Sequence, residues 1–195
     1  MKIAGCILIF LAATGAGLYA SMELERRKKQ LAGLRRGIVS LMREIEFQLS
    51  PLCEAFLHTG ERSEQPWNLF FKNVGQKLEI CNVAGEYTDY EYTNMEQNNL
   101  FYSEKNYPMN ISEIFEWEKK KIEKFHPWKK DLEILKTLSK GLGQLDKEMQ
   151  VAQLKLAEEE IMQAEKEARE EQKKKGQLYK SLGFCMGILG VIILL

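Results

Sequence analysis

Two charge-free segments at the ends of the chain constrain its fold more than any other feature. Ile3 to Met22 and Ser181 to Leu195 contain no Asp, Glu, Lys or Arg, whereas all 28 acidic residues and every basic residue except Lys2 lie between them. Soluble domains mix charged and apolar residues along their length because each element has a side that faces water. The segregation predicts a charged, solvated body with an apolar segment at each end.

The N-terminal segment is long enough to cross a bilayer. Ile3 to Met22 contains 20 residues, and a helix that rises 1.5 Å per residue then just spans a hydrocarbon core of about 30 Å. A cleaved signal peptide is the competing interpretation, but Leu18 is poorly suited to its place two residues before a cleavage after Ala20. We therefore predict a transmembrane helix over residues 1–22.

The C-terminal segment is shorter but has the same character. Ser181 to Leu195 has 15 residues, and the span lengthens when Leu178 to Lys180 is included, because Lys180 can extend its ammonium group back to the interface. A buried core helix is the alternative for so short a run. Such a helix needs a polar side, which this segment lacks. We therefore predict a second transmembrane helix over residues 178–195.

Basic residues flank both apolar segments on the side of the body. The positive-inside rule states that segments rich in Lys and Arg beside a membrane span stay in the cytoplasm. The flanking basic residues are Arg26, Arg27, Lys28, Lys29, Arg35, Arg36, Lys173, Lys174, Lys175 and Lys180, against Lys2 alone on the far side. We expect the body, residues 23–177, in the cytoplasm and both termini across the membrane.

The body has the pattern of a helical bundle. Apolar residues at steps of three and four predict a first helix from Ile3 to Leu49 and a last helix from Asp146 to Leu195, and their similar lengths suggest antiparallel rods. Residues 82–110 lack a sustained period and are expected to form an irregular excursion. The predicted fold is all-α: a cytoplasmic antiparallel helical bundle flanked by an N-terminal and a C-terminal transmembrane helix.

Shorter helices are expected between the two long ones. Each prediction rests on a residue type that commonly caps or opens a helix, or on the first residue of an apolar period. The expected starts are Ser50-Pro51, Trp67, Asn110 and Pro127. Ser50 is predicted as an N-cap with Pro51 in the first helical position, and Gly60 to Pro66 is predicted as a loop.

The turn Gly141-Leu142-Gly143 is expected to end one helix before Asp146 caps the last one. One interpretation is a structural turn that only stabilises the domain. The other is a docking site, in which Leu142 and Leu145 contact a cytosolic partner at the end of the bundle farthest from the bilayer. The residue pattern leaves both open.

Small residues in the apolar segments allow another helix to approach closely. Gly183 and Gly187 are one turn apart in the C-terminal segment, and Ala13 and Gly17 have the same spacing in the N-terminal one. Small residues at this spacing form helix contacts in membranes, within a chain or in a homo-oligomer. They are also common in any transmembrane helix, so a contact site at Gly183 and Gly187 is one of two interpretations.

Catalytic and metal chemistry has little support in the residue pattern. His58 and His126 are far apart, and Cys53 and Cys81 form no spacing that closes a tetrahedral metal site. No phosphate-binding G-x-x-x-x-G-K-[ST] motif occurs. Because acidic and basic residues are equal in number, the chain has no net positive charge that would attract nucleic acid. We expect no enzymatic activity, no metal and no cofactor.

Two groups of residues carry a resemblance to a known family. Both groups occur in the family's order. The residues are Glu44, Ile45, Ser50, Pro51, Leu52, Glu54 and Ala55 towards the N-terminus, then Leu138, Gly141, Leu142, Gly143, Asp146, Gln150, Glu165, Ala168, Lys175, Tyr179, Ser181, Leu182 and Gly183. In this order the chain resembles the stage III sporulation protein AB family.

The resemblance implies a non-enzymatic membrane platform or adaptor of the secretion-like channel complex between mother cell and forespore. It places the body in the mother-cell cytoplasm and the helices in the mother-cell-derived membrane around the forespore. The implied partners are the membrane, sporulation channel proteins and a cytosolic secretion-type ATPase, stage III sporulation protein AA. The family is also implied to be partly similar to the platform proteins of type II secretion.

An alternative function follows from the aromatic residues. A membrane-bound sensor or regulator with a coiled stalk would bind a ligand in a pocket formed by Trp67, Trp117, Trp128 and tyrosines of the excursion. Aromatic residues at helical spacing usually belong to a core, so we favour the platform.

Overall fold

The computed structural model describes residues 2–48, 50–86, 110–123, 128–142 and 146–194. The helices are α1 (Lys2–Arg43), α2 (Leu52–Arg62), α3 (Trp67–Glu86), α4 (Ile111–Glu123), α5 (Lys129–Gly141) and α6 (Lys147–Leu194), and a π-helical turn, Glu44–Gln48, follows α1 directly. No strand occurs within these ranges. The all-α prediction is confirmed.

The chain divides into two compact units. The first unit contains residues 1–32 and 161–195, and the second contains residues 33–160. Helices α1 and α6 each contribute residues to both units because each continues through a boundary between them. Helix α6 begins and ends within one residue of its predicted bounds, whereas α1 ends at Arg43 and the π-helical turn continues the predicted first helix to Gln48.

Two predicted helix caps are confirmed. The Oδ1 atom of Asn110 accepts a hydrogen bond from the backbone N–H of Glu113 at 2.9 Å, and Oδ1 of Asp146 accepts one from Met149 at 2.8 Å. A side-chain oxygen at this position satisfies one of the free N–H groups of the first turn. The short polar residues before α4 and α6 therefore define where these helices begin.

Helix α2 differs from its prediction at both ends. Pro51 is the N-cap with ψ of 146°, so the helix begins one residue later than expected, and the Pro51 carbonyl accepts a hydrogen bond from Ala55 at 3.0 Å. Gly60, predicted in a loop, is helical and buried. A Cβ added to Gly60 would lie 2.8 Å from the backbone nitrogen of Lys72. Gly60 therefore allows α3 to approach α2 and does not form a turn.

Helix α3 continues into the predicted excursion. It ends at Glu86, so residues 82–86 are helical and not irregular as expected. The remainder of the predicted excursion up to residue 109 lies outside the described residues. The predicted helix start at Pro127 and the docking residue Leu145 also lie outside them.

Aromatic side chains form the centre of the second unit. Phe70 is the hub, with ring centroids 5.3 Å from Phe115, 5.4 Å from Phe71 and 6.2 Å from Trp67. Phe56 joins the group 5.7 Å from Phe115, and all five side chains are at most 1% exposed. Burying each contributes about 1.5–3 kcal/mol. This cluster holds α2, α3 and α4 together.

Helix α1 contributes an apolar stripe to the second unit. Leu34, Ile38 and Leu41 are fully buried at the predicted steps of three and four. On the same stripe, Gly33 and Gly37 face the rings of Trp67 and Phe71, and a Cβ added to Gly33 would lie 3.0 Å from the Trp67 ring. These glycines bring the α1 backbone close to the aromatic core.

The first unit has a membrane-like composition. Within the described residues, one helix is long and apolar enough to cross a membrane by length and composition, and it is the one near the N-terminus. This agrees with the predicted N-terminal span. The predicted C-terminal span belongs to the last part of α6, which is helical up to Leu194.

Candidate functional site

The first unit is built from two helical segments whose contacts run in opposite order along the chain. As the residue number rises along α1, the number of the contacted residue in α6 falls. The contacting pairs are Ile9 with Gly190, Phe10 with Gly187, Gly17 with Gly183, Ser21 with Gly176, and Arg27 with Glu171. The two segments therefore form one helix pair from Ile9 to Arg27 on α1 and from Glu171 to Gly190 on α6.

Glycines bring the two backbones of this pair into direct contact. A Cβ added to Gly183 would lie 2.9 Å from the carbonyl oxygen of Ala13 and 3.0 Å from the Cα of Gly17. A Cβ added to Gly17 would lie 2.5 Å from the carbonyl oxygen of Tyr179. Backbone approach of this kind is how small residues hold helices together where no water is available to drive association.

Gly187 has a different neighbour from Gly183. A Cβ added to Gly187 would lie 2.8 Å from a ring carbon of Phe10. The Phe10 ring also meets Phe184 edge-to-face, with centroids 5.7 Å apart. The predicted contact residues Gly183 and Gly187 therefore both touch the chain's own first helix.

The outer surface of the helix pair is apolar on both helices. Large apolar side chains that are more than half exposed occur on both helices over the apolar part of the pair. On α1 they are Ile7, Leu8, Leu11, Tyr19 and Met22, and on α6 they are Leu178, Leu182, Phe184, Met186, Leu189 and Ile192. A surface of this kind is unfavourable in water and typical of helices that face lipid.

Charged side chains begin directly beyond the apolar part of the pair. Arg27 Nη1 lies 3.0 Å from Glu171 Oε2, and Lys28 Nζ donates to the side-chain oxygen of Gln172 at 3.0 Å. Glu171 also accepts a hydrogen bond from Lys175, which lowers the pKa of Glu171 with further help from Arg27. This network joins α1 to α6 at the charged end of the pair.

A buried carboxylate lies in the π-helical turn of the second unit. The Glu44 side chain is 1% exposed, and its oxygens bind His58 Nδ1 at 3.2 Å and, more closely, the guanidinium of Arg62. Gln48 donates a third hydrogen bond at 3.2 Å. An ion pair that includes a buried charge needs such complete satisfaction to be tolerated. Glu44 therefore fixes α2 to the end of α1.

A second buried carboxylate joins α3 to α4. The Glu118 side chain is 2% exposed and accepts hydrogen bonds from Lys77 at 2.7 Å, Lys121 at 2.9 Å and Asn73 at 2.9 Å. Burial by itself raises the pKa of Glu118, but these three donors outweigh it and hold the pKa below its usual value. Glu118 is therefore a charged core residue at neutral pH.

Lys77 also packs on an aromatic face. Its Nζ lies 3.7 Å from the ring centroid of Trp117, a cation–π contact that keeps the ammonium group in place beside Glu118. Trp67 has a separate environment, since it packs with Phe70 and Gly33. Trp117 and Trp67, two of the three tryptophans of the predicted ligand pocket, thus pack against different residues: Trp117 against Lys77, and Trp67 against Phe70 and Gly33.

Metal-binding groups are not assembled in the part of the chain that the structure describes. There, no group of three or more His, Cys, Asp or Glu side chains is placed to hold a metal ion. The Nδ1 atom of His58 lies 3.2 Å from Glu44 Oε2.

The comparison with known proteins decides the family. The family model described as stage III sporulation protein AB matches residues 2–87 and 79–195 of this chain. The chain belongs to the stage III sporulation protein AB family. A curated relative, stage III sporulation protein AB of Bacillus subtilis (strain 168), is 25% identical over 195 residues, which cover 100% of this chain and 99% of the relative. No solved structure gives a significant match.

The family pattern includes residues whose roles the structure explains. Glu44, the first residue of the N-terminal motif, is the buried carboxylate of the π-helical turn. Ala55 of the same motif is fully buried, and Pro51 is the N-cap of α2. The resemblance to the stage III sporulation protein AB family therefore rests partly on residues that hold the π-helical turn against α2.

Leu142, the residue directly after α5, lies in the interior of the second unit. Leu142 has 0% exposure, and its backbone N–H donates to the Leu138 carbonyl at 3.3 Å. Ser112 Oγ on α4 donates to the Ser139 carbonyl at 3.2 Å close by. A buried Leu142 fits the structural interpretation of this turn. The docking hypothesis for Leu142 and Leu145 stays a prediction.

The sequence analysis did not identify the two buried carboxylates. A signal was present, because Glu44 follows Leu41 and Glu118 follows Phe115 by three residues each, on the stripe of apolar core positions. A polar residue at a core position indicates a buried, fully bonded group.

Proposed function

We propose that this chain is a non-enzymatic, two-pass membrane platform of the sporulation complex between mother cell and forespore. Both termini lie across the membrane, and residues 23–177 form an antiparallel helical bundle in the mother-cell cytoplasm. The observation that carries the proposal is the register of the helix pair. Ser21 faces Gly176, Gly17 faces Gly183 and Ile9 faces Gly190, so whatever depth α1 has in a membrane, the end of α6 shares.

Energetics supports a second span despite its modest length. The apolar side chains that surround the pair are exposed on α6 as well as on α1, and burial of apolar surface contributes about 25 cal/mol for each Å². The last part of α6 lacks charged residues after Lys180. Placing α1 in lipid while leaving the attached α6 segment in water would separate backbones that glycines have brought together.

The proposed orientation rests on the charged end of the pair. The basic residues of both flanks occur beyond Met22 on α1 and before Ser181 on α6, and such residues favour the cytoplasmic side. The body between them then lies in the mother-cell cytoplasm, and the membrane is the one that surrounds the forespore.

A cytosolic secretion-type ATPase is the proposed energy source and partner. The chain has no G-x-x-x-x-G-K-[ST] sequence, so nucleotide hydrolysis would come from another protein. Family membership supports a place in the sporulation apparatus. The chain would link this ATPase to the membrane components of the channel.

A pull-down with parallel stability measurements tests the platform role. Membranes containing the full chain are incubated with the ATPase, stage III sporulation protein AA, and Leu142→Ser and Leu145→Ser are compared one at a time. Because Leu142 is buried, Leu142→Ser should cost about 2–5 kcal/mol and lose binding only through unfolding. Loss of binding in Leu145→Ser with an unchanged melting temperature supports docking at the turn. No capture of the ATPase by the wild-type chain contradicts the platform proposal.

A further inference from the structure

The charged end of the helix pair carries an excess of positive charge. We call residues 23–29 and 170–180 the basic collar. The basic collar contains eight basic and four acidic residues, a net charge of +4. All of these residues belong to the first unit.

Most of the acidic residues in the basic collar are already in ion pairs. Glu23 pairs with Arg26 and Glu25 with Lys29 within α1, and Glu171 pairs with both Arg27 and Lys175. Lys28 hydrogen bonds to the neutral amide of Gln172. The protein therefore neutralises one group of basic residues by its own carboxylates.

Three exposed lysines of the basic collar are different. Lys173, Lys174 and Lys180 are exposed, and none of them forms an ion pair in the described part of the chain. Lys180 adds a long-range attraction to Glu25. Lys173 and Lys180 are seven residues apart, so they lie on one side of α6 about 10 Å apart along its axis.

The position of these lysines relative to the apolar surface indicates their ligand. Gly176 lies between them in sequence and faces Ser21, which precedes Met22, the last residue of the charge-free segment of α1. Lys173 and Lys174 are therefore on the charged side of this boundary, and Lys180 is on the apolar side, from which a side chain of its length can extend its ammonium group back to the boundary. In the proposed two-pass topology, this boundary is at the level of the phospholipid phosphates.

We infer that Lys173, Lys174 and Lys180 bind the phosphodiester groups of acidic phospholipids in the cytoplasmic leaflet. The inference rests on the proposed two-pass topology, which places the basic collar at the membrane surface. Each ammonium group offers three donors to phosphate oxygens, and each lysine near an anionic surface contributes about a fivefold gain in affinity. Acidic lipid thereby sets the depth and rotation of the helix pair in the membrane.

Lipid retention by the full chain tests this inference. The protein is purified in a non-ionic detergent and titrated with phosphatidylglycerol or phosphatidylcholine, and bound lipid is counted by native mass spectrometry. The test variant is Lys173→Gln/Lys174→Gln/Lys180→Gln. The matched control is Lys129→Gln/Lys130→Gln/Lys136→Gln, which removes three exposed lysines of α5.

The wild-type chain and the α5 control should retain phosphatidylglycerol in preference to phosphatidylcholine. The collar variant should lose about tenfold to a hundredfold of that affinity, and high salt should weaken the wild-type preference. Equal retention of phosphatidylglycerol by the collar variant and the wild type overturns the inference. Inorganic phosphate that competes as strongly as phosphatidylglycerol also overturns it, since the site would then bind free anions.

A topology control separates the inference from the proposal on which it depends. The same full chain carries a C-terminal epitope tag and is placed in inverted membrane vesicles. A protected tag without lipid preference overturns the lipid inference and leaves the two-pass topology intact. A digested tag overturns the topology itself.

Discussion

Gly17 and Gly183 meet backbone to backbone: a Cβ added to Gly17 would lie 2.9 Å from the Cα of Gly183, and one added to Gly183 would lie 3.0 Å from the Cα of Gly17. Neither position has space for a side chain. Gly15, on the same helix, has no atom within 4 Å of its added Cβ. One helix thus provides both the contact and its matched control.

Alanine substitutions at Gly17, Gly183 and Gly15 should separate the effect of the helix contact on stability from the effect of helix propensity. Gly17→Ala and Gly183→Ala should each lower the stability of the full chain in detergent by about 1–3 kcal/mol, because backbone atoms must move to make room. Gly15→Ala should be neutral or stabilising by up to about 1 kcal/mol, since alanine favours a helix. Thermal denaturation followed by circular dichroism measures both. Equal stability of Gly17→Ala and Gly15→Ala would show that the contact contributes nothing.

Removing the partners of Glu44 should cost more than removing its charge. The double variant His58→Ala/Arg62→Ala leaves a buried carboxylate with Gln48 as its remaining side-chain donor and should lose about 2–4 kcal/mol. Glu44→Gln keeps the shape without the charge and should lose about 1–2 kcal/mol. Urea denaturation gives both values, with the exposed Glu54→Gln as control. The opposite order of the two losses would refute the charge-burial argument.

Glu118 should make stability depend on acidic pH. Its pKa is lower in the folded chain than the usual value of 4.5, so the unfolded chain binds the proton more readily. This contribution is complete at neutral pH and is lost as the pH falls below about 4.5 towards the lower folded-state pKa. Wild-type stability should therefore fall more steeply in this range than that of Glu118→Gln. If stability falls equally steeply with pH in the wild type, Glu118→Gln and the exposed-site control Glu79→Gln, Glu118 does not have this role.

The N-cap hydrogen bond from the Met149 N–H to Asp146 should stabilise the start of α6. Asp146→Ala removes the acceptor of the Met149 N–H and should cost about 0.5–2 kcal/mol, whereas Asp146→Asn retains an oxygen and should cost less. Chemical denaturation compares the two. A loss of the same size in both variants would mean that the hydrogen bond to Met149 is not the cause.

The sequence predicted the elements whose physics is local. Apolar steps of three and four placed the buried Leu34, Ile38 and Leu41 on one face of α1, and short polar residues marked the caps at Asn110 and Asp146. These features depend on neighbours within a few residues along the chain. Local patterns are therefore sufficient to find them.

The sequence analysis missed or misplaced the features that depend on residues far away along the chain. Gly60 was predicted in the loop from Gly60 to Pro66, yet it lies within α2 where the backbone of Lys72 approaches from α3. The burial of Glu44 and Glu118 depends on partners from other helices, Arg62 and Lys77 among them. The small residues around Gly183 indicated a helix contact, but the pattern alone did not identify α1 as the partner.

Protease protection of a doubly tagged full chain tests the central claim, the two-pass topology, most directly. Different epitope tags are placed at the two termini, and inverted vesicles expose the cytoplasmic face to the protease. The account predicts that the body is digested while both tags stay protected. Digestion of the C-terminal tag with protection of the N-terminal one would contradict it, because α6 would then lie outside the membrane that α1 crosses.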